Sequence, residues 1–275
     1  MWATLALAAA LQTTPAQPGA FALKNPRATY GLLGQPRKDL KFLGGDLLVV
    51  TYDLQNLKVP ENAIVEYSLG IEVTSKGGKS IYKLEPQEFK AEVTLGGNGR
   101  PATSFYEMPF DMAPGEYVFT VTGTDLLAKK SAKLEVPFEV LSPRLGFVQS
   151  GINIPVGQTV IPTPPKIPVG QTVFVGAGIV GFELGPKTET DPKKKLPHVT
   201  VKVRVLDEAG KPTLPKDRFT VFNKELDEQF KKVIPFNMVL ELNRTGKFKV
   251  ELTVTDMHAS KTAVQTLDLE VFEVK

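Results

Sequence analysis

The sequence predicts an all-β protein built of two tandem antiparallel β-sandwich domains. Three observations predict it: runs of alternating polar and apolar residues, glycine- and proline-rich turns at short intervals, and one long segment that occurs twice. Alternation with a period of two places one face of a strand in a core and the other in water. Short strands of this kind, with frequent turns and almost no helical periodicity, are typical of two sheets packed face to face.

The repeated segment indicates two copies of one domain. Residues Gly115–Asp125 match Gly246–Asp256 without a gap, and the match continues into the next strand of each copy. In a chain of 275 residues, each copy has roughly 110–130 residues and can bury its own core. We therefore predict domain one at 22–141 and domain two at 142–275. The junction is very short, so we expect a fixed relation between the domains.

Other elements follow from local patterns. At 199–205 four valines alternate with polar residues, which predicts a strand. The glycine cluster at 96–99 predicts a hairpin turn, and the segment 224–232 is the one helical candidate. The Met-Pro-Phe-Asp-Met segment at 108–112 aligns with Ile-Pro-Phe-Asn-Met at 234–238, which predicts equivalent positions in the two copies.

A second, smaller duplication lies inside domain two. The sequence Ile-Pro-Val-Gly-Gln-Thr-Val at 154–160 recurs at 167–173. Its prolines exclude it from a central strand. It is either a duplication that lengthened a loop, with one copy used as the start of a strand, or a docking arm that recruits a partner.

Residues 1–20 predict a signal peptide. A short apolar run at 2–11 is followed by small residues and prolines. The run is too short to span a bilayer and suits the centre of a signal peptide. No Lys or Arg precedes Lys24, so the usual basic start is missing, and a disordered apolar tail is the alternative. We expect export to the periplasm, the cell surface or the medium, with no membrane span after cleavage.

Composition excludes several classes of function. The net charge is +3, with 33 basic and 30 acidic residues interleaved, so the sequence does not predict binding to nucleic acid. The chain has no cysteine, which excludes thiol nucleophiles, disulfides and cysteine metal sites.

The repeated segment carries a family resemblance. Gly-Glu-Tyr-Val-Phe at 115–119 resembles the Gly-x-Tyr-x-Cys of immunoglobulin-like sandwiches, in which the tyrosine hydroxyl bonds back to the backbone. Phe119 stands where the cysteine would be, so packing replaces the disulfide. The second copy has Phe248 at the tyrosine position, and we expect burial alone to hold that corner. The longer segment resembles the last hairpin of exported bacterial immunoglobulin-like modules of the cadherin or fibronectin type III kind. This resemblance implies a fold and the cell envelope, and no activity.

No residue is predicted to be catalytic, to bind a cofactor or to ligate a metal. Asp125 and Asp256 end the same strand in both copies, and we expect each carboxylate to accept hydrogen bonds from N–H groups of the following turn. Calcium ligation is the alternative, but it needs more oxygen ligands at close spacing. The two histidines, His198 and His258, are predicted to be surface residues. We therefore predict that the chain is not an enzyme.

A ligand-binding face is predicted only in domain one. All six tyrosines lie there, and three of them, Tyr30, Tyr82 and Tyr106, lie off the apolar strand faces. The predicted function is a non-catalytic exported interaction, adhesion or structural module of the cell envelope, with a protein or an envelope polysaccharide as partner. The alternatives are an accessory carbohydrate-binding protein that uses these tyrosines, and a hydrolase or inhibitor with a histidine in a cleft beside a carboxylate.

Overall fold

The computed structural model describes residues 19–157, 159–186 and 195–274. Nearly all regular structure in these ranges is β-strand, which confirms the predicted all-β class. The predicted signal peptide lies outside the described residues except for its last two positions. Within the described ranges no helix has the length and apolar character needed to cross a bilayer.

The strands before residue 141 form two sheets. The strands are β1 Ala22–Thr29, β2 Lys41–Phe42, β3 Leu47–Gln55, β4 Ile64–Ser75, β5 Ser80–Glu92, β6 Arg100–Glu107, β7 Gly115–Asp125 and β8 Lys130–Val140. One sheet has the order β1-β3-β6 and the other the order β2-β8-β7-β4-β5. We call this part of the chain the N-terminal half.

The strands after residue 145 form the C-terminal half. They are β9 Gly146–Val156, β10 Thr159–Pro162, β11 Lys166–Pro168, β12 Thr172–Val180, β13 Leu184–Pro186, β14 Lys195–Pro197, β15 Val199–Leu206, β16 Arg218–Phe222, β17 Ile234–Glu241, β18 Gly246–Asp256 and β19 Lys261–Phe272. The sheet orders are β10-β9-β12-β17 and β11-β19-β18-β15-β16, with β13 and β14 paired separately.

The two halves have corresponding strand orders. The order β1-β3-β6 corresponds to β9-β12-β17, and β2-β8-β7-β4-β5 corresponds to β11-β19-β18-β15-β16. In both halves the short first strand of the five-stranded sheet runs parallel to its neighbour, and the other strands of that sheet pair antiparallel.

Each half has its own core. One cluster of buried side chains lies between residues 21 and 140, and another lies between 145 and 271. Alternation along β15 buries Val199, Val201 and Val203, as the sequence predicts. The division into domains at 141–142 stays a prediction.

Three local predictions are wrong. The glycine segment 96–99 does not form a hairpin turn, because it connects β5 to β6, which belong to different sheets. The segment 224–232 contains only a three-residue 3-10 helix at Glu228–Phe230, which has no buried residue to hold a longer helix against the core. The segment 234–238 lies inside β17, whereas 108–112 follows β6.

The pairing register explains the failed alignment of these two segments. Tyr106 pairs with Leu48 in the N-terminal half, and Leu240 pairs with Val173 in the C-terminal half. Leu48 and Val173 hold the same place in their sheets, so Tyr106 corresponds to Leu240. The likeness of 108–112 to 234–238 therefore does not reflect equivalent positions.

The duplicated seven residues adopt two structures. The first copy, 154–160, includes the end of β9, a turn at Gly157 and the start of the edge strand β10. The second copy, 167–173, leaves β11 in one sheet, turns at Gly170 and enters β12 in the other. The first copy thus adds an edge strand that has no counterpart in the N-terminal half.

Candidate functional site

Asp125 uses its carboxylate to hold backbone. One oxygen, Oδ1, accepts hydrogen bonds from the N–H groups of Leu127 at 3.0 Å and Ala128 at 2.9 Å. The other, Oδ2, accepts one from the N–H of Lys58 at 2.7 Å. The side chain is fully buried, and these three donors replace the water that a buried charge would otherwise need.

Asp256 repeats this arrangement in the C-terminal half. Its Oδ1 accepts hydrogen bonds from the N–H groups of His258 and Ala259, at 2.9 and 3.3 Å, and its Oδ2 accepts one from Glu183 at 2.7 Å. The predicted role of both aspartates in the following turn is confirmed. The third bond joins a segment distant in sequence and could not be predicted, because turn patterns describe only neighbouring residues.

The two histidines lie together on the surface. Their ring centroids are 5.8 Å apart, both side chains are exposed, and the His258 Nε2 atom lies 3.2 Å from the carbonyl of Leu196. The hydrolase alternative expects a histidine in a cleft beside a carboxylate, and neither histidine lines the cavities described below. In the described ranges no three histidine or acidic side chains converge as a metal site.

The three predicted ligand-binding tyrosines do not share one exposed surface. Tyr106 is 5% exposed and Tyr82 is 38% exposed, and their ring centroids lie 5.0 Å apart. Burial is the main cause that raises the pKa of Tyr106 above its ordinary value. Tyr30 is half-buried elsewhere, under the guanidinium of Arg37. The expected exposure of Tyr106 is wrong, because its side chain lies on the inner face of β6, whereas the neighbouring Phe105 lies on the outer face. Ligand binding by these residues stays a prediction.

Arg37 and Asp46 form the polar centre of the contact between the halves. The Arg37 Nη2 atom lies 2.7 Å from Asp46 Oδ2, and its guanidinium lies 4.3 Å from the ring centroids of both Tyr30 and Phe42. The Asp46 Oδ1 atom accepts a 2.8 Å hydrogen bond from the backbone N–H of Gln149 in the C-terminal half. This carboxylate therefore bridges an arginine of one half and the backbone of the other.

Further contacts join the halves around this centre. Leu43 packs with Val148 and Val180 in a small buried cluster of its own. Gln35 donates to the carbonyl of Thr266 at 3.2 Å and accepts from the N–H of Asp268 at 2.5 Å. These contacts support the predicted fixed relation between the halves.

An apolar strip lies along β5. The five-stranded sheet of the N-terminal half is wider than the three-stranded sheet that it faces, so its edge strand overhangs. Tyr82, Leu84 and Phe89 pair with inward-facing residues of β4, yet they are 38, 39 and 42% exposed. We call these three side chains the β5 strip. The sequence did not predict this strip as a surface, because strand periodicity does not show how wide each sheet is.

A cavity of about 430 Å³ lies at the corresponding edge of the C-terminal half, between β16 and β17. A more polar cavity of about 460 Å³ lies at the junction of the halves and is lined in part by Tyr30, Arg37 and Asp46. The sequence indicated neither cavity, since each is formed by strands far apart in the chain.

Comparisons with known proteins show no family. No protein-family model matches the chain, and no curated protein matches it. Solved structures that resemble it include the crystal structure of red sea bream transglutaminase, with 9% sequence identity and a TM-score of 0.28. That alignment covers 92% of this chain and 31% of the transglutaminase chain. Similarity at this level carries no argument about activity.

Proposed function

We propose that this chain is a non-catalytic, exported interaction module of the cell envelope, built of two tandem immunoglobulin-like β-sandwiches. We propose further that it binds a protein partner along β5. The observation that carries this proposal is the exposed apolar β5 strip on an edge strand of 13 residues.

The edge position of β5 supports a protein partner. An edge strand has backbone N–H and C=O groups without strand partners on one side, and these groups can pair with an extended segment of another chain. Exposed apolar side chains beside such an edge provide the desolvated contact that backbone pairing alone lacks. Pro86 and two register shifts interrupt the strand, which limits uncontrolled pairing between copies.

The immunoglobulin-like assignment is supported by one local bond and by strand order. Tyr117 Oη donates a 2.7 Å hydrogen bond to the carbonyl of Ala113, which is the kind of corner that the sequence motif implies. The corresponding strand orders of the two halves support two copies of one domain. Asp125 and Asp256 occupy one acidic position that both copies share, and their bonds to backbone N–H groups support a structural rather than a chemical role for them.

Site-specific crosslinking tests the proposed surface. A photoreactive phenylalanine analogue replaces Phe89 in the protein expressed in its native host, and the same analogue replaces the exposed Val264 as a control. We expect one protein adduct from position 89 that disappears when Leu84→Glu is added, and no such adduct from position 264. Equal labelling from both positions would contradict the proposed surface.

Two further measurements test the proposed export and the proposed non-catalytic role. N-terminal sequencing of the mature protein should show removal of about 20 residues if the signal-peptide assignment is correct. Purified mature protein should not turn over ester, peptide or glycan substrates. Measurable turnover that survives further purification would reject the non-catalytic role.

The second candidate function is carbohydrate binding. The partial exposure of Tyr82 and Phe89 favours it, because exposed rings can stack on sugars as they do on other flat or apolar faces. Glycan binding that is lost in both Tyr82→Ala and Phe89→Ala would favour this function over a protein partner. Glycan binding that survives both substitutions would reject these rings as the sugar site, and a parent protein that binds no glycan would reject the function.

A further inference from the structure

The cavity between β16 and β17 exists because the two halves close this edge differently. In the N-terminal half, the rings of Tyr82 and Tyr106 meet between the sheets. The residue that corresponds to Tyr106 is Leu240, which is smaller, and the C-terminal half contains no tyrosine at all. The space that two rings fill in one half is therefore open in the other.

The wall of the cavity is also shorter than its counterpart. β16 extends only from Arg218 to Phe222, whereas β5 has 13 residues. Pro212 and Pro215 precede β16, and a proline has no N–H to donate to a neighbouring strand. Pro212 and the 2.8 Å hydrogen bond from the Thr213 N–H to the Val205 carbonyl keep the start of this loop beside β15. Residues 214–217 pair with no strand, so this segment opens the side of the sandwich.

The interior of the cavity is apolar. Its volume of about 430 Å³ falls in the range of roughly 300–1,000 Å³ that is common for small-molecule sites. Six of its lining side chains belong to the hydrophobic core and are at most 9% exposed: Val203, Leu240, Leu242, Phe248, Leu269 and Val271. An apolar ligand chain entering here would contact the core between the sheets.

The rim of the cavity is cationic. Lys216, Arg218 and Arg244 line it, and among the described residues none of them has a carboxylate within ion-pair distance. Arg218 reaches across the opening, with its Nη1 atom 3.4 Å from the carbonyl of Val239. The Arg244 guanidinium lies 5.1 Å from the ring centroid of Phe248.

The other charged groups of the lining do not cancel this rim. Asp217 lies 3.7 Å from Arg204 and 4.0 Å from Lys202, so its charge is already balanced. Glu241 follows Leu240 on β17 and is exposed, so its side chain lies on the opposite face of the strand from the buried Leu240. The mouth of the cavity thus presents cationic groups without acidic partners above an apolar interior.

We propose that this cavity binds an amphiphilic carboxylate, a linear hydrocarbon chain that enters between the sheets with its carboxylate at Arg218 and Arg244. An apolar interior favours the chain by removing it from water. Guanidinium groups bind carboxylates in a bidentate geometry with charge-assisted hydrogen bonds. The proposal concerns the C-terminal half and does not depend on a partner at β5.

Calorimetric titration of the purified protein with monomeric decanoate tests the site. We expect saturable 1:1 binding, at least tenfold weaker in the Arg218→Gln/Arg244→Gln double variant. The matched control, Lys133→Gln at an exposed position of β8, should bind as the parent does. Decyltrimethylammonium, which has the same chain and the opposite charge, should bind at least tenfold more weakly than decanoate. Equal binding of the two amphiphiles would overturn the proposal.

A blocking variant tests whether the hydrocarbon chain of the ligand occupies the cavity. Leu240→Tyr introduces the residue that stands at the corresponding position of the N-terminal half, and it should abolish decanoate binding. Because a larger core residue can destabilise the fold, Leu214→Trp at the exposed side of the lining serves as a second blocking variant. Binding unchanged in a folded form of either variant would overturn the proposal.

A vesicle experiment separates a free carboxylate from a membrane surface. We expect no sedimentation of the protein with phosphatidylglycerol vesicles at physiological salt, alongside binding of monomeric decanoate. Sedimentation with vesicles in the absence of decanoate binding would overturn the proposal and assign the cationic rim to an anionic membrane surface.

Discussion

Arg37 and Asp46 form a buried ion pair at the junction of the two halves, with 2.7 Å between Nη2 and Oδ2 and side chains that are 5 and 4% exposed. Gln149 completes the arrangement, because its N–H bonds to Asp46 and its backbone lies in the left-handed region with a φ of 50°. A non-glycine residue adopts this conformation only where the surrounding contacts hold it. The pair thus links the fold of one half to the orientation of the other.

Removing one member of this pair should destabilise the protein strongly. We expect Asp46→Ala to lower the free energy of unfolding by about 3–5 kcal/mol, because it leaves a buried guanidinium without its counter-charge. The Arg37→Met/Asp46→Leu double variant should recover only part of the loss, because it removes the unpaired buried charge but leaves the N–H groups of Gln149 and Leu47 without their acceptor. Urea unfolding of the single and double variants measures both effects.

An exposed pair is the matched control. Lys76 and Glu116 form an ion pair whose side chains are 79 and 48% exposed, so Glu116→Ala should cost less than about 1 kcal/mol. A loss for Asp46→Ala no larger than that of Glu116→Ala would show that the junction does not depend on the buried charges.

The aspartate caps should each stabilise their own half. Asp125→Ala leaves three part-buried N–H groups without their acceptor, and we expect it to cost about 3–5 kcal/mol. Asp256→Ala should cost a similar amount. The control Asp111→Ala, at an exposed position, should change the free energy of unfolding by no more than about 0.5 kcal/mol.

The same variants test the predicted domain division. If the halves are separate cooperative units, intrinsic fluorescence and amide exchange should show that Asp125→Ala destabilises strands before residue 141 more than those after it. Asp256→Ala should show the reverse. Uniform destabilisation of the whole chain by either variant would indicate one cooperative unit and contradict two domains.

Local chemistry was predictable from the sequence, and geometry between distant segments was not. The caps of Asp125 and Asp256 follow from an acidic residue before a turn, and the buried valines of β15 follow from alternation. The Arg37–Asp46 pair depends on a chain reversal between the two residues and on Gln149, which is 103 positions from Asp46. The β5 strip depends on unequal sheet widths. Neither feature has a periodic signal.

Tyr52 should make the stability of the fold fall at high pH. Its hydroxyl is buried and bonded to Ser104 Oγ at 2.8 Å, and burial, the largest cause, raises the pKa of Tyr52 from 10.0 to about 12. Between these values the unfolded chain has released a proton that the folded chain keeps. The contribution of the protonated Tyr52 hydroxyl to the free energy of unfolding is therefore fully present below pH 10. It is lost as the pH rises toward 12, by up to about 1.4 kcal/mol per pH unit.

Comparison with Tyr52→Phe isolates this contribution. The variant should lose about 1–2 kcal/mol at neutral pH, because Ser104 is left without its partner, and the difference from the parent should shrink above pH 10. Urea unfolding at pH 8 to 11.5 measures the free energy of unfolding of the parent and of the variant. Burial also raises the pKa of Tyr67 and of Tyr106, but these two residues are present in both proteins and affect them alike. Parallel curves across this range would contradict the assignment.

The corner at Tyr117 offers a comparison within one chain. Its hydroxyl donates to the carbonyl of Ala113 at 2.7 Å, and its ring stacks on Phe138 at a centroid distance of 5.5 Å. The corresponding residue of the C-terminal half is Phe248, which is 9% exposed and has the Arg244 guanidinium over its ring. The sequence predicts that burial alone holds this second corner. The guanidinium over the ring shows that the arginine also contributes.

These two corners should respond to different substitutions. Tyr117→Phe removes one hydrogen bond and leaves the Ala113 carbonyl, which lies in an exposed segment, to water, so we expect a loss of about 1 kcal/mol. Arg244→Gln should cost about 0.5–1 kcal/mol, because the cation–π contact is partly exposed. Tyr117→Leu removes the ring as well and should cost distinctly more than Tyr117→Phe, since stacking and apolar burial are both lost. Equal losses for the phenylalanine and leucine variants would show that the hydroxyl, rather than the ring, holds the corner of the N-terminal half.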